Sequence, residues 1–129
     1  MGIITKDIEE AARLFSEVFG LERSTDAPFI DPLGEFKSVF LVAGEVTVEL
    51  IEPINPNGAL AKFLEKRGEG LHHISVEVEN INQKLEALKL KGVRLIGEEA
   101  QVVGTLKVAF IHPSSTRGIL IELTEKVST

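Results

Sequence analysis

A chain of 129 residues, 43% of them apolar, is long enough for one compact domain or two small fused modules. A formal net charge of −6 with no stripe of Lys or Arg argues against a nucleic-acid partner, and no run approaches the ~20 apolar residues of a membrane span. Cysteine is absent, so no disulfide or thiolate site exists, and the opening "MGIITKDIEEA" carries no apolar leader core; a cytoplasmic location is the expectation.

In chain order, "GIIT" reads as a first short strand. In "DIEEAARLFSEVFG" the residues Ile8, Ala11, Ala12, Phe15, Val18 and Phe19 fall at helical spacing on one face. Asp7 is a candidate N-cap with Glu10 three residues on, the capping-box arrangement, and Gly20 lies where a glycine stop belongs. Strands are expected near 21–30, 35–43 and 46–53, and a linking helix in "GALAKFLEK" near 58–66. A strand near 71–78 then leads to a second helix, "NINQKLEALKLKG", with Ile81, Leu85 and Leu88 as its stripe. Asn80 and Gln83 repeat the cap, and Gly92 repeats the stop. Strands near 93–97, 106–112 and 118–125 complete the chain.

The two helices superpose with a shift of 73 residues, which carries Asp7 onto Asn80 and Ile8 onto Ile81. The same shift lays "VTVELIE" on "ILIELTE" and Glu49 on Glu122. The expected fold is therefore α+β: two tandem βαβββ modules whose mixed sheets form a cup around a metal or substrate site. Residues 1–56 form the first module, 57–67 the linking helix and 68–129 the second.

Strand side chains alternate faces, so parity assigns the polar residues. Val48 and Leu50 share one face of their strand and Glu49 takes the other; Ile121 and Leu123 leave Glu122 on the far face in the same way. In "LHHISVEV", His72, Ile74 and Val76 go with the helices, and His73, Ser75 and Glu77 go with the other side. His72 reads as structural, and His112, before Pro113, as a turn former. His73, Glu49 and Glu122 point away from the helices, and one imidazole with two carboxylates suits a divalent ion. Shifted back by 73, His73 falls on the position just before Met1. The expectation is a fourth ligand there, either lost or placed upstream of the residue numbered 1.

The segments "KDIEEAARLFSEVFGLE", "VTVELIEP", "AKFLEKRGEGLHHISVEVENI", "GVRLIGEE" and "FIHPSSTRGILIEL" resemble the vicinal oxygen chelate superfamily and, within it, the methylmalonyl-CoA epimerases. The likeness covers nearly the whole chain; "GEGLHHI" and the His-Pro segment before "GILIEL" are its most specific pieces. It implies a divalent metal (cobalt, manganese, nickel, zinc or magnesium) on Glu49, His73 and Glu122, with the first ligand of the family falling before Met1. It also implies an acyl-CoA substrate, Glu49 and Glu122 as proton-transfer bases, and a homodimer. The alternatives are a glyoxalase I-like lyase and a metal-free small-ligand binding protein of the same fold. The lead-in "FIDPLGEFKSVF" departs from the family pattern, as does "VVGTLKVAF", so no substrate contacts are carried over.

Overall fold

A computed structural model describes residues 1–127. Two compact units divide the chain between His72 and His73, a few residues beyond the linking helix. In the first unit, β1 (Gly2–Ile4), α1 (Ile8–Phe19), β2 (Glu22–Arg23), β3 (Phe29–Ile30), β4 (Phe36–Ala43) and β5 (Val46–Pro53) precede α2 (Ala59–Arg67). The second is built from β6 (Gly70–Glu77), which begins in the first, then α3 (Ile81–Leu90), β7 (Leu95–Val103), β8 (Leu106–Ile111) and β9 (Ile121–Lys126). A single 3-10 turn, Pro113–Ser115, lies between β8 and β9. Among the described residues no helix is long and apolar enough to cross a membrane.

Each unit carries the same mixed sheet. In the first the order is β2-β4-β5-β1, with β3 also paired to β4; in the second it is β6-β9-β8-β7. The last strand is central in both: β5 runs parallel to β1 and antiparallel to β4, and β9 runs parallel to β6 and antiparallel to β8. The register repeats residue for residue. Glu49 stands opposite Gly2 and Phe40; Glu122 stands opposite Ser75 and Phe110. The α+β architecture expected from the shift of 73 is thus present in each unit.

The helix faces of the sheets form the cores. Ile8 and Ala12 of α1 pack on Val39, Leu41, Val48 and Leu50, and Ile81 and Leu85 of α3 pack on Ala109, Ile111 and Leu123. Parity drives this: alternate residues of each strand are apolar, and burying them against the helix removes that area from water. Three differences from the sequence reading stand out. The strand expected over 21–30 is broken into β2 and β3 around "STDAP", where turn-forming residues and a proline interrupt the ladder. The strand expected over 93–97 begins at Leu95 and continues to Val103, paired to β8 with a register shift between Ile96 and Gln101. Val18 and Phe19, placed on the apolar face by spacing, are exposed in the last turn of α1, where the neighbouring strand β2 has only two residues.

The helix starts are capped from two directions. Asp7 accepts from the N–H groups of Glu9 and Glu10, and Asn80 accepts from Gln83 N–H. The Asp7 N–H donates to Thr5 Oγ1, in place of the return bond that a full capping box would take from Glu10. The first helical N–H is held from the sheet in both units: Ile8 N donates to Glu52 Oε1 at 3.0 Å, and Ile81 N donates to Glu125 Oε1 at 3.3 Å. A carboxylate at a helix N-terminus satisfies an orphan donor and meets the positive end of the dipole. Gly20 ends α1 at φ +71°, with its N–H on Ser16 O, and Gly92 follows α3 at φ +80°, a left-handed backbone that a side chain rarely adopts.

Removing the carboxylate in Glu125→Ala should cost about 1–2 kcal/mol, and Leu50→Ala, in the closed core, about 2–5 kcal/mol. Urea denaturation checks both. Equal losses at the two positions would show that the strand carboxylate does more than cap its helix.

Candidate functional site

The face of each sheet turned away from its helix carries the residues singled out by parity. In the first unit Glu49 lies at the middle of β5 between Val48 and Leu50, both buried on the helix side. Its carboxylate accepts a hydrogen bond from Ser38 Oγ of β4, which reaches Glu49 Oε2 at 2.8 Å; Ser38 is fully buried. The ladder beside it runs to the first residue. Met1 O accepts from Glu49 N–H at 2.8 Å, and the Met1 amino group donates to Thr47 O at 2.9 Å.

In the second unit, adjacent strands bring four side chains together on one face. His73 of β6 is only 5% exposed. Its ring stands edge-on to Phe110 of β8, centroids 6.3 Å apart, and its Nε2 lies 3.8 Å from Glu122 Oε1 of β9. Ser75 Oγ, directly across the β6–β9 ladder, donates to the same Glu122 oxygen at 2.7 Å. This geometry follows from the pleat. His73 and Ser75 are two residues apart on one strand, so they share a face, and the parallel register sets Ser75 opposite Glu122.

Electrostatics reflect the enclosure. Burial holds the His73 imidazole below its ordinary 6.5, at about 4, so it is neutral at physiological pH. Burial also raises the Glu122 carboxyl above the usual range, and the hydrogen bond from Ser75, which favours the anion, partly opposes that rise. At 3.8 Å a neutral imidazole and a carboxylate make no strong ion pair.

A neutral imidazole nitrogen and a carboxylate oxygen are good donors for a borderline divalent ion. Two donors each ~2.0–2.2 Å from one ion stand roughly 3–3.6 Å apart, so the separation of 3.8 Å between His73 Nε2 and Glu122 Oε1 lies slightly beyond that range. Among the described residues no three His, Asp or Glu side chains gather closely enough to form a complete metal site. The pair fits as part of a ligand set.

The other histidines lie elsewhere, as parity indicates. His72 packs edge-on to Phe63 of α2, with centroids 4.7 Å apart. His112 caps the 3-10 turn, its Nδ1 accepting from Ser114 N–H. Sequence reasoning missed the serines. The signal for Ser75 was present, since it shares the face of His73 at a spacing of two residues. Ser38 is legible only once the β4–β5 register is known.

The family model described as Glyoxalase/Bleomycin resistance protein/Dioxygenase superfamily matches residues 1–110. The chain is 34% identical over 125 residues to a protein named methylmalonyl-CoA epimerase, mitochondrial, of Bos taurus, covering 95% of this chain and 70% of that one. It is 32% identical over 126 residues to ethylmalonyl-CoA/methylmalonyl-CoA epimerase of Cereibacter sphaeroides, covering 95% and 92%. Among solved structures, that of methylmalonyl-CoA epimerase from Mycobacterium tuberculosis superposes with a TM-score of 0.87 at 27% identity, covering 98% of this chain and 85% of that one. With the repeated βαβββ units and their matched glutamates, these likenesses establish that the chain belongs to the glyoxalase/bleomycin resistance/dioxygenase superfamily and, within it, to the methylmalonyl-CoA epimerase family of enzymes.

Proposed function

We propose that this enzyme interconverts the two C2 epimers of methylmalonyl-CoA with the help of a divalent ion, using Glu49 and Glu122 for proton transfer. The observation that carries the reading is the group of His73, Ser75, Phe110 and Glu122 on one face of the second sheet, with His73 buried, in a chain of this family.

The chemistry asks for little beyond proton transfer. The C2 hydrogen of a malonyl thioester is acidic because the resulting negative charge spreads onto the thioester oxygen. Epimerisation removes that proton from one face and returns one to the other, so two bases are required. Glu49 and Glu122 are carboxylates at equivalent points of two repeated strands, and each serves one face of C2 in this proposal. A carboxylate whose pKa is raised by burial, as for Glu122, is a stronger base than one in water and so better suited to taking the C2 proton. His73 stays neutral, the form in which an imidazole ligates a cation. In this proposal His73 Nε2 and Glu122 Oε1, 3.8 Å apart, would be two of the donors to that ion. A divalent ion held there would supply Lewis-acid stabilisation of the charge on the thioester oxygen. Phe110 excludes water beside the imidazole and strengthens these electrostatic effects.

Glu122→Gln keeps the shape and removes the base. Exchange of the C2 hydrogen of methylmalonyl-CoA with solvent deuterium should fall by about 10²–10⁴-fold. Exchange at the wild-type rate would remove Glu122 as a base.

The buried neutral imidazole also makes stability depend on pH. Between pH 6.5 and about 4 the unfolded chain binds a proton on His73 that the folded chain does not. Folding stability attributable to this residue therefore falls as pH drops through that window, by up to about 3 kcal/mol. Glu122 acts in the opposite sense: its raised pKa lets the folded state keep a proton longer, so its contribution is lost as pH rises through that raised value. His73→Gln removes the first effect alone. In chelator-treated protein, the wild type should lose stability relative to His73→Gln as pH falls from 6.5 to 4, read by urea denaturation at each pH. A difference independent of pH would contradict a buried neutral His73.

A further inference from the structure

Both glutamates are anchored by a serine hydroxyl, and the two anchors come from opposite sides. Ser75 reaches Glu122 from the parallel neighbour β6, directly across the ladder. Ser38 reaches Glu49 from the antiparallel neighbour β4, where it stands opposite Ile51, two residues further along β5 than Glu49. The register identifies the counterpart of each serine in the other unit. Gly2 stands opposite Glu49 as Ser75 does opposite Glu122. Val108 stands opposite Thr124 as Ser38 does opposite Ile51. Neither Gly2 nor Val108 has a side-chain donor. In each unit a serine hydroxyl reaches the glutamate from the flank at which the other unit has no side-chain donor.

We propose that Ser38 and Ser75 are positioning residues for the epimerisation, each fixing one carboxylate oxygen so that its glutamate meets C2 in a constant orientation. The proposal rests on reading Glu49 and Glu122 as the proton-transfer groups. A glutamate side chain has several rotatable bonds and a broad terminal torsion. Strand pairing places the Cβ of such a side chain but does not by itself orient its carboxylate. A hydroxyl donating to a carboxylate oxygen at 2.7–2.8 Å is a charge-assisted bond, stronger than a neutral one. Proton transfer requires donor and acceptor within about 2.6–3.2 Å, and a misplacement of about 1 Å can cost on the order of 10²-fold in rate. Neither serine has to touch substrate to matter for turnover.

The two anchors differ in their surroundings. Ser38 is fully buried, so removing its hydroxyl takes a donor from the Glu49 carboxylate at a sealed position and affects stability as well as rate. Ser75 is exposed, so the loss there falls mainly on rate. That makes Ser75 the sharper test.

The experiment follows deuterium exchange and epimerisation of methylmalonyl-CoA in Ser75→Ala, Ser75→Thr and the double variant Ser75→Ala/Val108→Ser, with urea denaturation of each. Ser75→Ala should lower kcat by about 10–100-fold, with KM within about twofold of wild type and the fold intact. Ser75→Thr should restore most of the rate, because threonine keeps the hydroxyl and suits a strand. Val108→Ser should restore part of it by supplying the hydroxyl from the flank that Ser38 uses in the first unit. A wild-type kcat in Ser75→Ala, or a loss that neither hydroxyl recovers, would overturn the positioning role. Glu122→Gln run in parallel separates the two failures. If it abolishes exchange while Ser75→Ala does not slow it, the serine proposal is wrong and the glutamate reading stands. If Glu122→Gln exchanges normally, the glutamate reading falls and takes this proposal with it.

Discussion

A carboxylate in the middle of a central strand is the constraint on which the rest of this structure turns. β5 and β9 each have neighbours on both edges and a helix-packed apolar face. Placing Glu49 and Glu122 there costs desolvation that an apolar residue would not incur. The strand accepts this because its pleat separates two jobs. Val48 and Leu50, or Ile121 and Leu123, bury against the helix, while the glutamate between them faces the other way. The serine hydroxyls then offset part of the desolvation. A slip of one residue in either register would put the carboxylate into the hydrophobic core and the leucine on the polar face.

The same strands guard against that slip through their second glutamate. Glu52 and Glu125 lie three residues beyond Glu49 and Glu122, so they fall on the helix side, where each accepts from the first N–H of its helix. The spacing of "ELIE" and "ELTE" therefore carries two opposite instructions. One glutamate ties the strand to the start of the helix, and the other faces away from the core. Because the helix start and the strand end are joined by this bond, the positions of Glu49 and Glu122 are tied to the packing of the core. Function and stability share one register.

Much of this was legible in the sequence because it depends on period. The shift of 73, the helix stripes and the face of each strand are questions of spacing, and Glu49, His73 and Glu122 lie on the faces that spacing gave them. What escaped was set by tertiary register or by competition between local signals. Ser38 could be connected to Glu49 only by knowing that β4 pairs with β5 so that Ser38 meets Ile51. Val18 and Phe19 have the right spacing for burial, but there is too little sheet beside the last turn of α1 to cover them. β7 runs on through "GEEAQVV", a polar stretch with a glycine at φ +81°, because its partner β8 accepts the ladder despite the irregularity. Pairing overrode a composition that reads as loop.

The repeat also explains why the two halves need not be chemically equal. The backbone holds both glutamates in matching register, yet the residues that touch them have diverged. Glu49 is anchored by a serine sealed from solvent, and Glu122 by an exposed one beside a buried imidazole. In the proposed reaction, which takes a proton from one face and returns it to the other, the two bases need not be identical; they need only exchange roles without moving the substrate. Duplicated backbone geometry supplies two matching carboxylate positions. Local substitutions at the flanking strands, serine for glycine on one side and valine for serine on the other, then tune each carboxylate separately without disturbing the sheet that carries it.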